Sequence, residues 1–185
     1  MYSTKIAGLL SFAGACQFLI IMLICEAIYP GYSISKNMIS DLGIGHTAGL
    51  FNSSIILLGM MIILSAISFH SFHRNRIFTI LMILTGAGAM GVGIFPENIK
   101  PYHEICAGIT FLFGGLSETL SVFLIRFPMS IAAAFLGGLT LGCLALFVLG
   151  NDLGLGSGGM ERMIVYPVIL WGAGFGGYLM ASERR

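Results

Sequence analysis

The residues of this chain best suited to acid–base chemistry are two histidines and a set of carboxylates. Asp41 and His46 lie in one polar stretch, Tyr29 to His46; Glu97, His103 and Glu104 fall in a second; Asp152, Glu161 and Arg162 fall in a third. An imidazole that titrates near neutrality, set beside carboxylates, can move protons to and from a bound substrate. Asp41, His103 and Glu161 are therefore the expected catalytic groups, with Asp41 or His103 as general base. Arg162 is the expected contact to a phosphate or carboxylate, because its planar fork binds either one through two hydrogen bonds. Glu97 and Asp152 are expected to border the same site and contact substrate.

Asp41, His46 and His103 would also suffice for a divalent metal held by three protein ligands, with water in the fourth place. No pair has the spacing of a metal motif, and the side chains of adjacent His103 and Glu104 diverge. A metal-free polar site and a set of solvated interfacial side chains remain as alternatives, so the cofactor stays open. Haem is disfavoured. His46 and His103 could flank one iron, but His70 and His73 share one helix end and cannot straddle a second.

These groups need elements to position them, and composition says which. The 185 residues are 57% hydrophobic and 9% charged, with a mean hydropathy of +0.95. A soluble domain would carry roughly a quarter charged residues, so the outside of this molecule must face lipid. Six apolar segments approach the roughly 20 residues that a helix needs to cross the hydrocarbon core. They are residues 5–28, 48–69, 77–95, 104–125, 129–149 and 163–181. Helix is the required conformation, because lipid satisfies no backbone hydrogen bond. The expectation is an all-α, single-domain six-helix membrane bundle over residues 1–185. Pro167, inside the sixth segment, is expected to kink it.

Charge sets the orientation. With the amino terminus inside, Lys5, Arg74, Arg76, Arg126, Arg184 and Arg185 lie on the inner face, against Lys36, Lys100 and Arg162 outside. That bias follows the positive-inside rule and places both termini in the cytoplasm. All the acids except Glu118 and Glu183 map to the outer face. The segment after Lys5 is longer than a signal-peptide core, so it reads as a retained first helix despite the Phe12–Cys16 run. Cys16, Cys25, Cys106 and Cys143 lie in apolar segments without CxxC spacing and read as small packing residues.

Asp41-Leu42-Gly43-Ile44-Gly45 recurs as Asp152-Leu153-Gly154-Leu155-Gly156, both between spans on one face. Asp with Gly two positions on is turn chemistry, the carboxylate capping amides and glycine supplying a positive φ. Paired acidic loops flanking one site is the sharper reading. Glycines and alanines at four-residue spacing (Ala89/Gly93, Gly138/Gly142, Gly172/Gly176, Ala173/Gly177) suit close helix packing in lipid. Glu118, inside the fourth segment, is costly there unless paired, protonated or wetted, and so marks an intramembrane candidate.

The segments Tyr29-Pro30-Gly31-Tyr32, Ile39-Ser40-Asp41-Leu42-Gly43, Phe51-Asn52, Gly93-Ile94-Phe95-Pro96-Glu97 and His103, with Glu161-Arg162 before the last span, resemble a prokaryotic family of uncharacterised six-span membrane proteins, a domain of unknown function. That resemblance implies topology and no chemistry. Ile-Ser-Asp-Leu-Gly is also similar to the Ile-Ser-Asp-Thr-Gly run of Frag/DRAM-type six-span proteins, one branch of which takes part in lipid remodelling of membrane anchors. Here Leu42 replaces the threonine. The HxxxH ligands of ceramidase-like hydrolases are absent, so their mechanism does not carry over.

The sequence thus points to a multi-pass protein of the cell membrane that meets membrane lipids and no nucleic acid. Its expected role is action on a lipid or lipid-linked headgroup at the outer leaflet, as a hydrolase or transferase. The competing classes are a non-catalytic subunit or scaffold, packing against another membrane protein or a second copy, and an ion or solute carrier built on Glu118.

Overall fold

The computed structural model describes residues 2–182; Glu183, Arg184 and Arg185, counted above among the inner-face charges, lie outside the described residues. The described residues form six α-helices and no strands: α1 (Tyr2–Ile28), α2 (Ala48–His73), α3 (Arg76–Ile94), α4 (Tyr102–Ser121), α5 (Met129–Val148) and α6 (Gly156–Ala181). Two short 3-10 turns, Ser40–Gly43 and Gly45–Thr47, interrupt the α1–α2 loop. Five of the helices are long and apolar enough to cross a membrane. The exception, α4, carries His103, Glu104, Ser117, Glu118, Thr119 and Ser121 within 20 residues.

Three boundaries differ from the expected ones by four residues or more, the first being α2, which runs on to His73 instead of stopping at 69. The sequence places the start of α6 at 163, because Gly150 to Arg162 reads as loop. The helix starts at Gly156, so Glu161 and Arg162 lie inside its second turn, 7% and 4% exposed, rather than at an open helix end. The fourth helix stops at Ser121 instead of 125: Ser121 Oγ donates to the Glu118 carbonyl, and residues 122–124 continue as turns. Pro167 is accommodated within one continuous helix.

Each helix packs against its neighbours in sequence, and α6 closes the ring on α1. Contact between α4 and α6 leaves α5 in the outer groove between them, where it is the least buried of the five apolar helices. Lipid offers no hydrophobic drive between helices, so close packing must hold the ring. Backbone meets backbone at the α1–α6 and α2–α3 crossings among others: a Cβ on Gly8 would lie 2.6 Å from the Gly176 carbonyl, and one on Gly86 2.6 Å from that of Gly59. Two aromatic-rich clusters fill the interior. One holds Phe18, Met22, Leu42 and Phe51 near the α1–α2 loop; the other holds Phe69, Phe78, Trp171 and Phe175 toward the opposite end.

Candidate functional site

The α1–α2 loop folds as a cap over one end of the bundle, and its own polar residues shape it. Pro30 has no amide donor and Gly31 takes φ +70°, which ends α1. The Asn37 side-chain oxygen accepts from the Ser33 amide at 3.0 Å, while the Asn37 amide donates back to the Ser33 carbonyl at 2.7 Å. Asp41 Oδ2 then accepts from the Met38 amide and from Asn37 Nδ2, both at 3.0 Å. Thr47 Oγ1 donates to the Leu42 carbonyl at 2.7 Å, and Asn52 Nδ2 to that of Gly43 at 3.0 Å. These bonds turn Ile39 and Leu42 into the core against Phe18, Met22 and Phe51. The Asp-Leu-Gly run here has the geometry of a capping turn.

Arg162 ties the cap to α6. Its Nη1 donates to the carbonyls of Ile34 (2.9 Å), Asn37 (3.0 Å) and Gly158 (2.7 Å). Its Nη2 donates to Glu26 Oε1 at 2.6 Å and to the Tyr32 hydroxyl at 2.5 Å. The Tyr32 hydroxyl in turn donates to the Met38 carbonyl, and its ring lies beneath the guanidinium, 5.4 Å from centroid to Cζ. Burial pushes the Tyr32 phenol up to about 12, against the opposing pull of Arg162. With every Nη position engaged, Arg162 positions the loop and offers no fork to a substrate anion. Its Nε has no partner among the described residues.

Glycine makes that approach feasible. The Gly158 amide donates to the Ser35 carbonyl at 3.1 Å. A Cβ on Gly158 would collide with the Ile34 and Asn37 carbonyls, the same two that Arg162 holds. Gly158→Ala should therefore lower stability by about 1–3 kcal/mol, the usual cost of overpacking. Thermal unfolding of the purified variant checks this; an unchanged midpoint would mean that the cap is not seated as described.

Beneath the cap the remaining polar groups converge. Ser40 Oγ donates to Glu97 Oε2 at 2.9 Å, and the Ile39 amide donates to Glu161 Oε2. His103, 6% exposed, has Nδ1 at 2.8 Å from the Phe95 carbonyl. A carbonyl can only accept, so Nδ1 carries a proton, and in the neutral tautomer Nε2 is the acceptor. Burial raises the Glu97 pKa, and neighbouring Asp41 raises it further, against lowering by Ser40 and His103. Ser40, His103 and Glu161 stand at one end of a cavity of about 70 Å³, otherwise almost wholly apolar and walled by Phe51, Phe111 and Val165 among others.

A raised folded-state pKa means that Glu97 holds its proton more tightly folded than unfolded. Its contribution to stability is full below the ordinary value of 4.5 and is lost as pH rises through the raised value. Glu97→Gln should accordingly be more stable than the parent at pH 8 and lose that advantage below pH 4.5. Unfolding midpoints across that range test it, and a constant difference would refute the assignment.

The structure thus brings Asp41, Glu97, His103 and Glu161 to one end of the bundle. It does not bring in the other candidates. His46 is exposed, so the expected metal set of Asp41, His46 and His103 does not assemble. Among the described residues no three His, Cys, Asp or Glu side chains group as a metal would require. Asp152 is exposed and caps its own turn, accepting from the Gly154 amide at 2.9 Å. Glu104 is exposed beside Lys100. Glu118 lies about 22 Å along α4 from His103, fully buried, and neither of its oxygens has a hydrogen-bond partner among the described residues. Sequence reasoning gave no role to Glu26, Tyr32 or Ser40. An acid near the end of an apolar segment demands a partner, and that rule, applied to Glu26, leads to Arg162.

A family described as "Protein of unknown function (DUF998)" matches residues 12–177. No curated protein and no solved structure matches the chain. Length, hydropathy and helical architecture make it an integral membrane protein.

Proposed function

We propose, for a chain that belongs to the DUF998 family of proteins of unknown function, a hydrolase or transferase acting on a lipid or lipid-linked headgroup. One observation carries the reading: an apolar cavity inside the bundle ends at a buried histidine, held through Nδ1 by the Phe95 carbonyl and set near three carboxyl groups. The apolar part of the substrate lies in the cavity and its scissile carbonyl at His103. There Nε2 takes a proton from water, the water oxygen adds to the carbonyl carbon, and the bond to the leaving group breaks. A protonated carboxyl of Glu97 or Glu161 supplies the proton that the leaving group takes. Ser40 and the Ile39 amide hold those carboxyls in place.

In this reading all six helices cross the cell membrane, α4 included, because His103, Ser117, Glu118 and Ser121 are buried against its neighbours. Both termini are cytoplasmic and the capped end faces outward. The six-to-three division of basic residues supports that orientation. Cysteine labelling of Lys36→Cys from outside intact cells, with Arg76→Cys labelled only after permeabilisation, is the expected pattern; the reverse would invert the topology. For the activity, the parent protein in lipid nanodiscs should release products from a panel of long-chain esters and amides. No turnover of any member would count against the hydrolase.

A second reading rests on α5. A Cβ on Gly138 or Gly142, one turn apart, would meet nothing within 4 Å, so this face is free to receive another membrane protein. A scaffold would fail on Gly138→Leu and tolerate Asp41→Asn and His103→Ala; an enzyme would do the opposite.

A further inference from the structure

We infer that the ligand is a single-chain amphiphile with a cationic or hydrogen-bond-donating head, such as a long-chain amine, and not an anionic or two-chain lipid. This rests on the lipid-directed reading above and narrows it. The apolar cavity does not stop at its first wall. A second void of about 40 Å³ shares Leu58, Ile62, Thr85, Val168 and Ile169 with it and reaches Trp171. From Glu161 to Trp171 is ten residues of one helix, about 15 Å. The interior therefore holds two adjoining narrow apolar voids, which one aliphatic chain can enter by displacing the side chains between them and two chains cannot. Water gains little there, since it needs two to four polar partners.

The head end selects by charge. Glu161 from α6, His103 from α4 and Ser40 from the loop line it, and Glu97 and Asp41 stand behind Ser40. The nearest arginine is already neutralised by Glu26 and bound to three carbonyls. A phosphate brought here would meet Glu161, with Glu97 and Asp41 close behind, and no available guanidinium. An ammonium or a hydroxyl would find acceptors.

Trp171 is the only tryptophan in the chain and is 3% exposed, which provides a direct reporter. The protein in nanodiscs is titrated with dodecylamine brominated at its terminal carbon, and Trp171 emission is followed. Saturable quenching by this amine, absent with the brominated dodecyl phosphate and with a brominated two-chain phospholipid, is the expected result. Ala89→Leu, which fills the first void, should abolish it, and Ala107→Leu serves if the first variant does not fold. Equal or stronger saturable quenching by the phosphate or the two-chain lipid overturns the inference and leaves the lipid-directed reading standing. Saturable quenching by none of the three overturns both.

Discussion

Arg162→Met should lower the stability of the protein by about 3–5 kcal/mol, the cost of breaking a buried ion pair by removing one partner. The loss is concentrated at one place. Glu26 keeps a buried charge without its counterion, and the carbonyls of Ile34 and Asn37 lose their donor. Each orphaned buried acceptor adds to the penalty. Lysine cannot rescue this, because its single ammonium cannot reach three carbonyls, a carboxylate and a phenol at once. Thermal unfolding reads the global effect, and trypsin reads the local one. Lys36 is exposed in a loop held by these bonds, and its cleavage should accelerate in Arg162→Met before the bundle unfolds. Parent-like cleavage and stability would show that the cap is held by something other than Arg162.

Removing the imidazole is expected to abolish chemistry while sparing the fold. His103→Ala takes away the Nε2 base, for which a loss of about 10²–10⁴-fold in turnover is usual. It also orphans the Phe95 carbonyl, so a weakened fold could mimic a catalytic defect. His103→Gln separates the two, because its amide can still donate to that carbonyl but cannot act as a base. Hydrolysis in nanodiscs should be lost in both variants, with the unfolding midpoint lowered in the alanine variant and restored in the glutamine one. Turnover recovered by glutamine would make His103 a positioning residue.

Much of the fold was legible because lipid leaves the chain few choices. Long apolar segments must be helical, and their ends fall close to the charged and proline positions that mark them. The misplacement of α6 has a physical origin. Gly154 to Gly159 has loop composition, and nothing local says that this stretch is helical from Gly156 under the cover of the cap. That cover comes from Ser35, Lys36 and Asn37, more than 100 residues earlier. Arg162 was misread for the same reason. Charge and position alone made it look like an anion contact, whereas its partners are backbone carbonyls that carry no sequence signature. Asp41, Glu97, His103 and Glu161 could be placed at one end from helix order. Their grouping, the exposure of His46 and the turn around Asp152 depend on how the loops fold back.

The cap joins nearly the first part of the chain to nearly the last. Ile34 and Arg162 are separated by 128 positions, and a ribosome adding 5–20 residues each second leaves about 6–25 s between them. Through that interval four helices can insert and pair with their neighbours while the α1–α2 loop has nothing to close against. The acid and histidine end is completed only when α6 arrives. Chains shortened before Arg162 would carry most of the bundle and none of its closure, so the loop is seated only once α6 has been made.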